Sequence, residues 1–140
     1  MARNHYNYNS NKHDLVVNGM RVTDYGKDAK YTVAYENDFR EVVTGADGDT
    51  ITVEKNDRNA LITVKILQSS PLNIIFSQLA SSDKEFPVLL TDRNFNGDIG
   101  AFSSIAHFVK IADLSVETVA KEREWQIRAI NLKPALDLVK

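Results

Sequence analysis

The residues with the clearest capacity for chemistry are Asp92, Asn94, Asn96 and Asp98, in Asp92-Arg93-Asn94-Phe95-Asn96-Gly97-Asp98-Ile99. Side-chain oxygens at alternate positions, a glycine for the sharp bend and an apolar anchor match the first half of an EF-hand calcium loop. The twelfth position is Ser103, where a bidentate glutamate would complete the coordination. The flanking residues alternate like strands, whereas an EF-hand needs helices. Asn, Asp and Gly equally suit a polar turn. The segment is therefore expected to be a loop, with calcium binding by those four residues as the alternative.

Other chemistries find less support. Asp47-Gly48-Asp49 offers two carboxylates, which alone do not make a metal site and fit a solvated hairpin turn. His5, His13 and His107 share no ligand spacing, and the chain has no cysteine. No serine sits in a G-x-S-x-G elbow, and Ser69-Ser70 is explained by helix capping. Gly45 and Gly48 precede a strand, where a phosphate-binding loop should open a helix. Tyr6, Asn7, Tyr8 and Asn9 could stack on bases only with a rigid, positively charged groove, which the sequence does not supply. Neither an enzyme nor a cofactor is expected.

The elements that must carry these residues are mostly strands. Residues 1–12 are polar and rich in Asn and Tyr, and read as a flexible arm. Leu15 to Val22 encloses Asn18-Gly19, the signal of a two-residue type I′ hairpin. Thr32–Glu36 and Phe39–Val43 are strand patterns separated by Asn37-Asp38. Thr44-Gly45-Ala46-Asp47-Gly48-Asp49 forms an acidic turn before Thr50–Glu54, where Ile51 and Val53 share a face. Ala60 to Leu67 is apolar on both faces and suits a central strand.

Ser70-Pro71 then starts a helix, with Ser70 capping free amides and Pro71 in the first turn. Leu72, Ile75, Phe76 and Leu79 at i, i+3, i+4, i+7 predict its packing stripe over about residues 70–82. Strands follow at Phe86–Thr91 and Ile99–Ile111. In the latter, Ser103, Ile105 and His107 are expected on one face, and Phe102 and Phe108 on the other. Leu114–Val119 suggests a short strand and Arg123–Asn131 a clear one. The sum is a mainly β chain: an antiparallel sandwich or barrel with one flanking helix. The expected organisation is an arm at 1–12, a β domain at 13–132 and a tail at 133–140.

Composition limits the partners. The 140 residues suit one core, and hydrophobic content of 43% with charged content of 26% is ordinary for a globular chain. Formal net charge is -2, with no Lys/Arg-rich run. Tight electrostatic binding to nucleic acid needs such a run. No signal-like or membrane-spanning apolar stretch is seen.

The combination of TGADGD, VKILQSSPLN (residues 64–73) and a single amphipathic helix resembles the tail tube proteins of contractile-tailed bacteriophages, over roughly Leu15 to Leu132. The type VI secretion tube protein shares that architecture. The resemblance implies hexameric rings that stack into a hollow conduit inside a contractile sheath, with sheets from all six subunits forming the inner wall. DNA would pass through without specific binding, along a wall expected to be acidic or neutral. Partners would be further copies of the chain, the sheath protein, a tape measure protein in the lumen, and baseplate and tail terminator proteins. The location would be the virion tail, after assembly in the host cytoplasm.

In that family an extended loop between early strands bridges adjacent rings. The matching segment here is Tyr35 to Asp57, with Tyr35, Phe39, Gly45, Asp47, Gly48, Asp49 and Glu54 as expected contacts. A baseplate-proximal tube-end ring is the nearest alternative. A monomeric β-barrel module with a calcium loop at 92–98 is the alternative from another class.

Overall fold

The computed structural model describes residues 8–26, 30–92, 99–119 and 121–134. After a 3-10 turn at Ser10–Lys12, the strands are β1 (His13–Val17), β2 (Met20–Arg21), β3 (Tyr31–Tyr35), β4 (Arg40–Thr44), β5 (Thr50–Glu54) and β6 (Ala60–Leu67). The helix α1 (Leu72–Ser81) follows, then β7 (Phe86–Asp92), β8 (Ile99–Phe108), β9 (Glu122–Ile130) and β10 (Lys133–Pro134). Every pairing is antiparallel. The main sheet runs β2-β1-β7-β8-β9-β6-β3, with β10 added to β8, while β4 and β5 form a separate two-stranded ribbon.

The expected mainly β architecture with one flanking helix is present, but the sheet does not close into a barrel. Its end strands, β2 and β3, are not paired with each other. The sheet is nevertheless strongly curled. Arg21 lies in β2 at one end, and Tyr25 bridges Ile66 of β6 near the other. Four residues of extended chain span at most about 14 Å, so the two ends must approach that closely. The bonds Leu67 N–H to Asp24 O (2.9 Å) and Gly26 N–H to Lys65 O (2.8 Å) fasten the join.

Curling gives the sheet one inner face. Leu15, Val17, Ile62, Val64, Ile66, Val88, Trp125 and Ile127 point into it by strict alternation and are fully buried. The helix covers the opening. Phe76 from α1 meets Trp125 edge-on at 5.7 Å and Phe108 at 5.1 Å, and Phe86 joins Phe108 at 5.3 Å. Aromatic pairs in tilted or edge geometry add to the large apolar area each ring removes from water.

The helix begins as its sequence suggests, with the Ser70 hydroxyl accepting from Leu72 N–H at 3.3 Å. Its buried stripe, however, is rotated. Leu72, Asn73 and Phe76 are buried and Leu79 packs partly, while Ile75 remains 38% exposed. Asn73 displaces Ile75 because its amide has partners inside. Nδ2 lies within hydrogen-bond distance of the carbonyls of Leu67 (3.0 Å), Gln68 (3.1 Å) and Ser70 (3.1 Å), which share its two hydrogens, and Oδ1 accepts from Trp125 Nε1 at 2.9 Å.

A second departure lies in β8. Phe86 pairs with Ala106 but Val88 with Ser103, so Pro87 faces two residues, Ser104 and Ile105. This is a β-bulge, and it explains how a proline fits an interior strand. The bulge switches the alternation. Ser103, Ala106 and Phe108 point inward, and Ile105 is exposed. The Ser103 hydroxyl lies 2.6 Å from Ile130 O and 2.8 Å from Ile105 O, so its one hydrogen can serve either carbonyl across the bulge. The strand expected at Leu114–Val119 is not formed. That segment is an exposed connection, tied by Arg123 Nη2 to Ala112 O (2.6 Å) and Gln68 Nε2 to Ser115 O (3.2 Å).

Candidate functional site

The segment between Tyr35 and Ala60 is a long hairpin that leaves the main sheet. Tyr35 pairs with Ala60 as the last rung of β3–β6. The chain continues upward through Glu36 N–H to Asn59 O (3.0 Å) and Lys55 N–H to Phe39 O (2.8 Å) into the β4–β5 ribbon. The base is braced by side chains. The Arg58 guanidinium sits 3.8 Å from the Phe39 ring centroid, and Phe39 meets Tyr35 edge-on at 5.0 Å. Tyr35 Oη donates to Leu132 O at 3.0 Å, anchoring that stack to the body. Asp57 accepts from Asn59 N–H (3.0 Å) and Asn37 Nδ2 (2.7 Å), and these bonds hold its carboxyl below the usual range.

The tip is a five-residue turn. Gly48 N–H donates to Gly45 O at 3.1 Å and Gly45 N–H to Asp49 O at 2.7 Å. Gly48 has φ of 91°, a conformation that disfavours any residue with a Cβ. The turn presents Asp47 and Asp49 to solvent.

All ten residues of β4 and β5 are exposed. Alternation sorts them into two unlike faces. Register places Val43 opposite Ile51 and Glu41 opposite Val53 on one face, and Thr44 opposite Thr50, Val42 opposite Thr52 and Arg40 opposite Glu54 on the other. The first face is thus an apolar row, with Glu41 paired to Lys55 at 3.5 Å. The second is dominated by threonine, with Arg40 and Glu54 at 3.7 Å. An isolated two-stranded ribbon is marginal in water, because neither face removes apolar surface from solvent. This one projects Val43, Ile51 and Val53, which are exposed, with nothing among the described residues covering them.

The structure therefore gathers the expected contact residues onto one projecting element: Tyr35 and Phe39 at its base, Glu54 along it, and Gly45, Asp47, Gly48 and Asp49 at its tip. Of the calcium candidates, only Asp92 lies among the described residues. Asp92 ends β7, with His13 Nε2 at 3.6 Å, and Asn94, Asn96 and Asp98 lie outside the described residues. Among the described residues, no group of three or more His, Cys, Asp or Glu side chains could hold a metal ion. His107 is half-buried in β8, away from His13 in β1. A groove of about 430 Å³ between the β1–β2 turn and α1 is lined mainly by Val17, Met20, Ile75, Gln78 and Leu79, with Lys84 at its margin. Its lining also includes Ser82, whose hydroxyl donates to Leu79 O at 3.1 Å, and among the described residues no hydrogen bond joins Ser82 to Lys84.

Asn73 and Ser103 were missed by sequence reasoning as structural polar groups. Asn73 carried one signal, a polar residue interrupting the apolar start of a helix directly after its cap. Ser103 carried none, since the bulge that turns it inward depends on its partner strand.

The fold is thus a mainly β one: a curled antiparallel sheet, one covering helix and a projecting two-stranded arm. The cryo-EM structure of an extracellular contractile injection system, its PVC sheath/tube terminator in the extended state, is similar in fold. The TM-score is 0.55 at 9% identity, over 91% of this chain and 96% of that one. No curated protein matches the sequence. The sequence model of the family described as Bacteriophage PhiTE tail tube protein matches residues 13–137, and the chain belongs to that family. It is accordingly a tail tube-type structural protein, a component of the virion tail.

Proposed function

We propose that this chain is the repeating subunit of the tube: six copies close a ring, and rings stack into a hollow conduit for DNA inside a contractile sheath. The observation that carries the reading is the β4–β5 hairpin, whose ten residues are all exposed although one face is apolar. Such an element gains stability only by meeting another molecule, and a contact between unlike surfaces of identical copies closes into a ring or repeats along an axis. Hairpins reaching from one ring to the next repeat without limit.

The conduit wall follows from the sheet. The outward face of β3, β6 and β9 carries Thr32, Thr63 and Gln126, with Lys65 opposite Glu124 in the ladder and Arg128 bonded to Glu36 at 2.6 Å. Its two cations, Lys65 and Arg128, are outnumbered by three anions, Glu36, Glu122 and Glu124. A face without net positive charge does not bind the phosphate backbone by counterion release. We assign this face to the lumen, where passing DNA and the tape measure protein must not stick. The helix and the 109–119 connection are then left for sheath contacts, and the ends of the tube for baseplate and terminator proteins.

Negative-stain electron microscopy of the purified protein over a range of concentrations tests the reading. Hollow stacked tubes support it. Single-layer rings that never stack would replace it with a tube-end ring. Protein that stays monomeric even with a baseplate template supplied would overturn it.

A further inference from the structure

The outer face of the β1–β7–β8 region is the other uncovered apolar surface with an ordered register. Val16 pairs with Leu89, and Leu89 with Phe102, in one row across three strands. Leu89 is 40% exposed and Phe102 38%, and the bulge turns Ile105, 43% exposed, out beside them. The row ends in cations on both sides. Val16 pairs with Arg21 of β2, and Phe102 with Lys133 of β10. Arg21 also holds Asp14 at 2.8 Å, whereas no ion pair engages Lys133 among the described residues.

The hairpin has the reverse character. Its apolar row is Val43, Ile51 and Val53, and its tip carries Asp47 and Asp49. The two surfaces do not meet within one chain. The hairpin springs from β3–β6, with β9 between it and β8 of the row, and both surfaces are exposed.

We propose that the hairpin of one copy lies on the Val16–Leu89–Phe102–Ile105 surface of another copy, with its Asp47–Asp49 tip against Lys133. Matching apolar rows supply the contact area, and attraction of the acidic tip to Lys133, the end cation that Asp14 does not already engage, sets the register. This assignment rests on the reading of the hairpin as a contact between copies, and it names the surface that receives it.

The chain contains no cysteine, so introduced ones are unique. Val43→Cys protein, carrying a size tag, is mixed with Leu89→Cys protein or, as a control, with Ile74→Cys protein on the exposed side of α1, and mildly oxidised. A disulfide needs Cα atoms about 4.4–6.8 Å apart, so it reports close approach. The expected result is a mixed dimer with Leu89→Cys and none with Ile74→Cys. In parallel, Lys133→Glu should raise the critical concentration for assembly about fivefold, and Asp47→Lys in the same chain should restore it.

Tubes that form without the Leu89 cross-link, or a cross-link to Ile74→Cys instead, would overturn the receiving surface and leave the tube reading standing. The expected cross-link without rings or tubes would support the surface and remove the tube reading. Absence of both would remove both.

Discussion

The Trp125 indole N–H and the Asn73 carboxamide oxygen meet at 2.9 Å with both residues buried, and this bond couples the only helix among the described residues to the centre of the sheet. The two amide hydrogens of the same carboxamide are shared among three carbonyls where β6 turns into α1. One side chain thus satisfies a buried donor and ends a strand. Asn73→Ala should destabilise the fold by about 3 kcal/mol, because the indole N–H is left without a partner and the turn loses its donor. Urea unfolding of Asn73→Ala, Trp125→Phe and the double variant would measure the pair term, expected at about 1 kcal/mol. Additivity of the two single effects would mean that the bond contributes nothing of its own.

Two glycines should respond differently to alanine. A Cβ on Gly100 would overlap the Leu90 carbonyl oxygen across the β7–β8 ladder, and backbone cannot swing aside as a side chain can. Gly19 has open space around it and is constrained only by a φ of 79°. Gly100→Ala should therefore cost about 2–3 kcal/mol as overpacking, and Gly19→Ala about 1 kcal/mol as backbone strain. Thermal melts of the two variants give the order, and the reverse order would contradict the close approach of β7 and β8.

What the sequence made legible follows from the range of the interactions. Local patterns sufficed for the Asn18-Gly19 hairpin, the Ser70-Pro71 start of the helix and the alternation of β6 and β9, since each is set by residues a few positions apart. The Pro87–Ser103 bulge was illegible because it is a relation between strands, and one inserted residue put Ser103 on the face opposite Ile105 and Phe102 on the face opposite Phe108. The rotation of α1 was missed because an apolar pattern favours Ile75, whereas Asn73 is drawn in by an indole 52 residues away. The curled but open sheet depends on where residues 24–26 join β6, which no short-range pattern records. For the candidate site, the glycine-marked turn located the hairpin tip. The exposure of both ribbon faces is a property of what fails to pack on them.

Alkaline pH should weaken the fold through two tyrosines. Burial pushes the phenols of Tyr25 and Tyr31 up to about 12, from an ordinary value of 10.0. The unfolded chain therefore gives up these protons first. The stabilising contribution is whole below about pH 10 and is lost progressively as pH rises from 10 to about 12. Denaturation midpoints measured across that window should fall, and Tyr31→Phe should fall less steeply than the parent protein. Parallel declines in the two proteins would mean that the Tyr31 phenol loses its proton over the same pH range in folded and unfolded chains.

The hairpin allows stability and assembly to be separated by mutation. Val43 and Ile51 face each other across β4–β5, at 50% and 66% exposure, and support no part of the core. Val43→Asp with Ile51→Asp should change the unfolding free energy of the dispersed subunit by less than about 0.5 kcal/mol, as surface changes away from structural features do. The same pair of changes buries charge in any contact made by that face, so tubes and rings should disappear from micrographs at concentrations where the parent protein forms them. Circular dichroism melts and electron microscopy on one preparation read both quantities. A variant that assembles as the parent does would show that the apolar face of the hairpin is not a contact. A variant that unfolds would show that the ribbon is part of the cooperative core, despite the exposure of all ten of its strand residues.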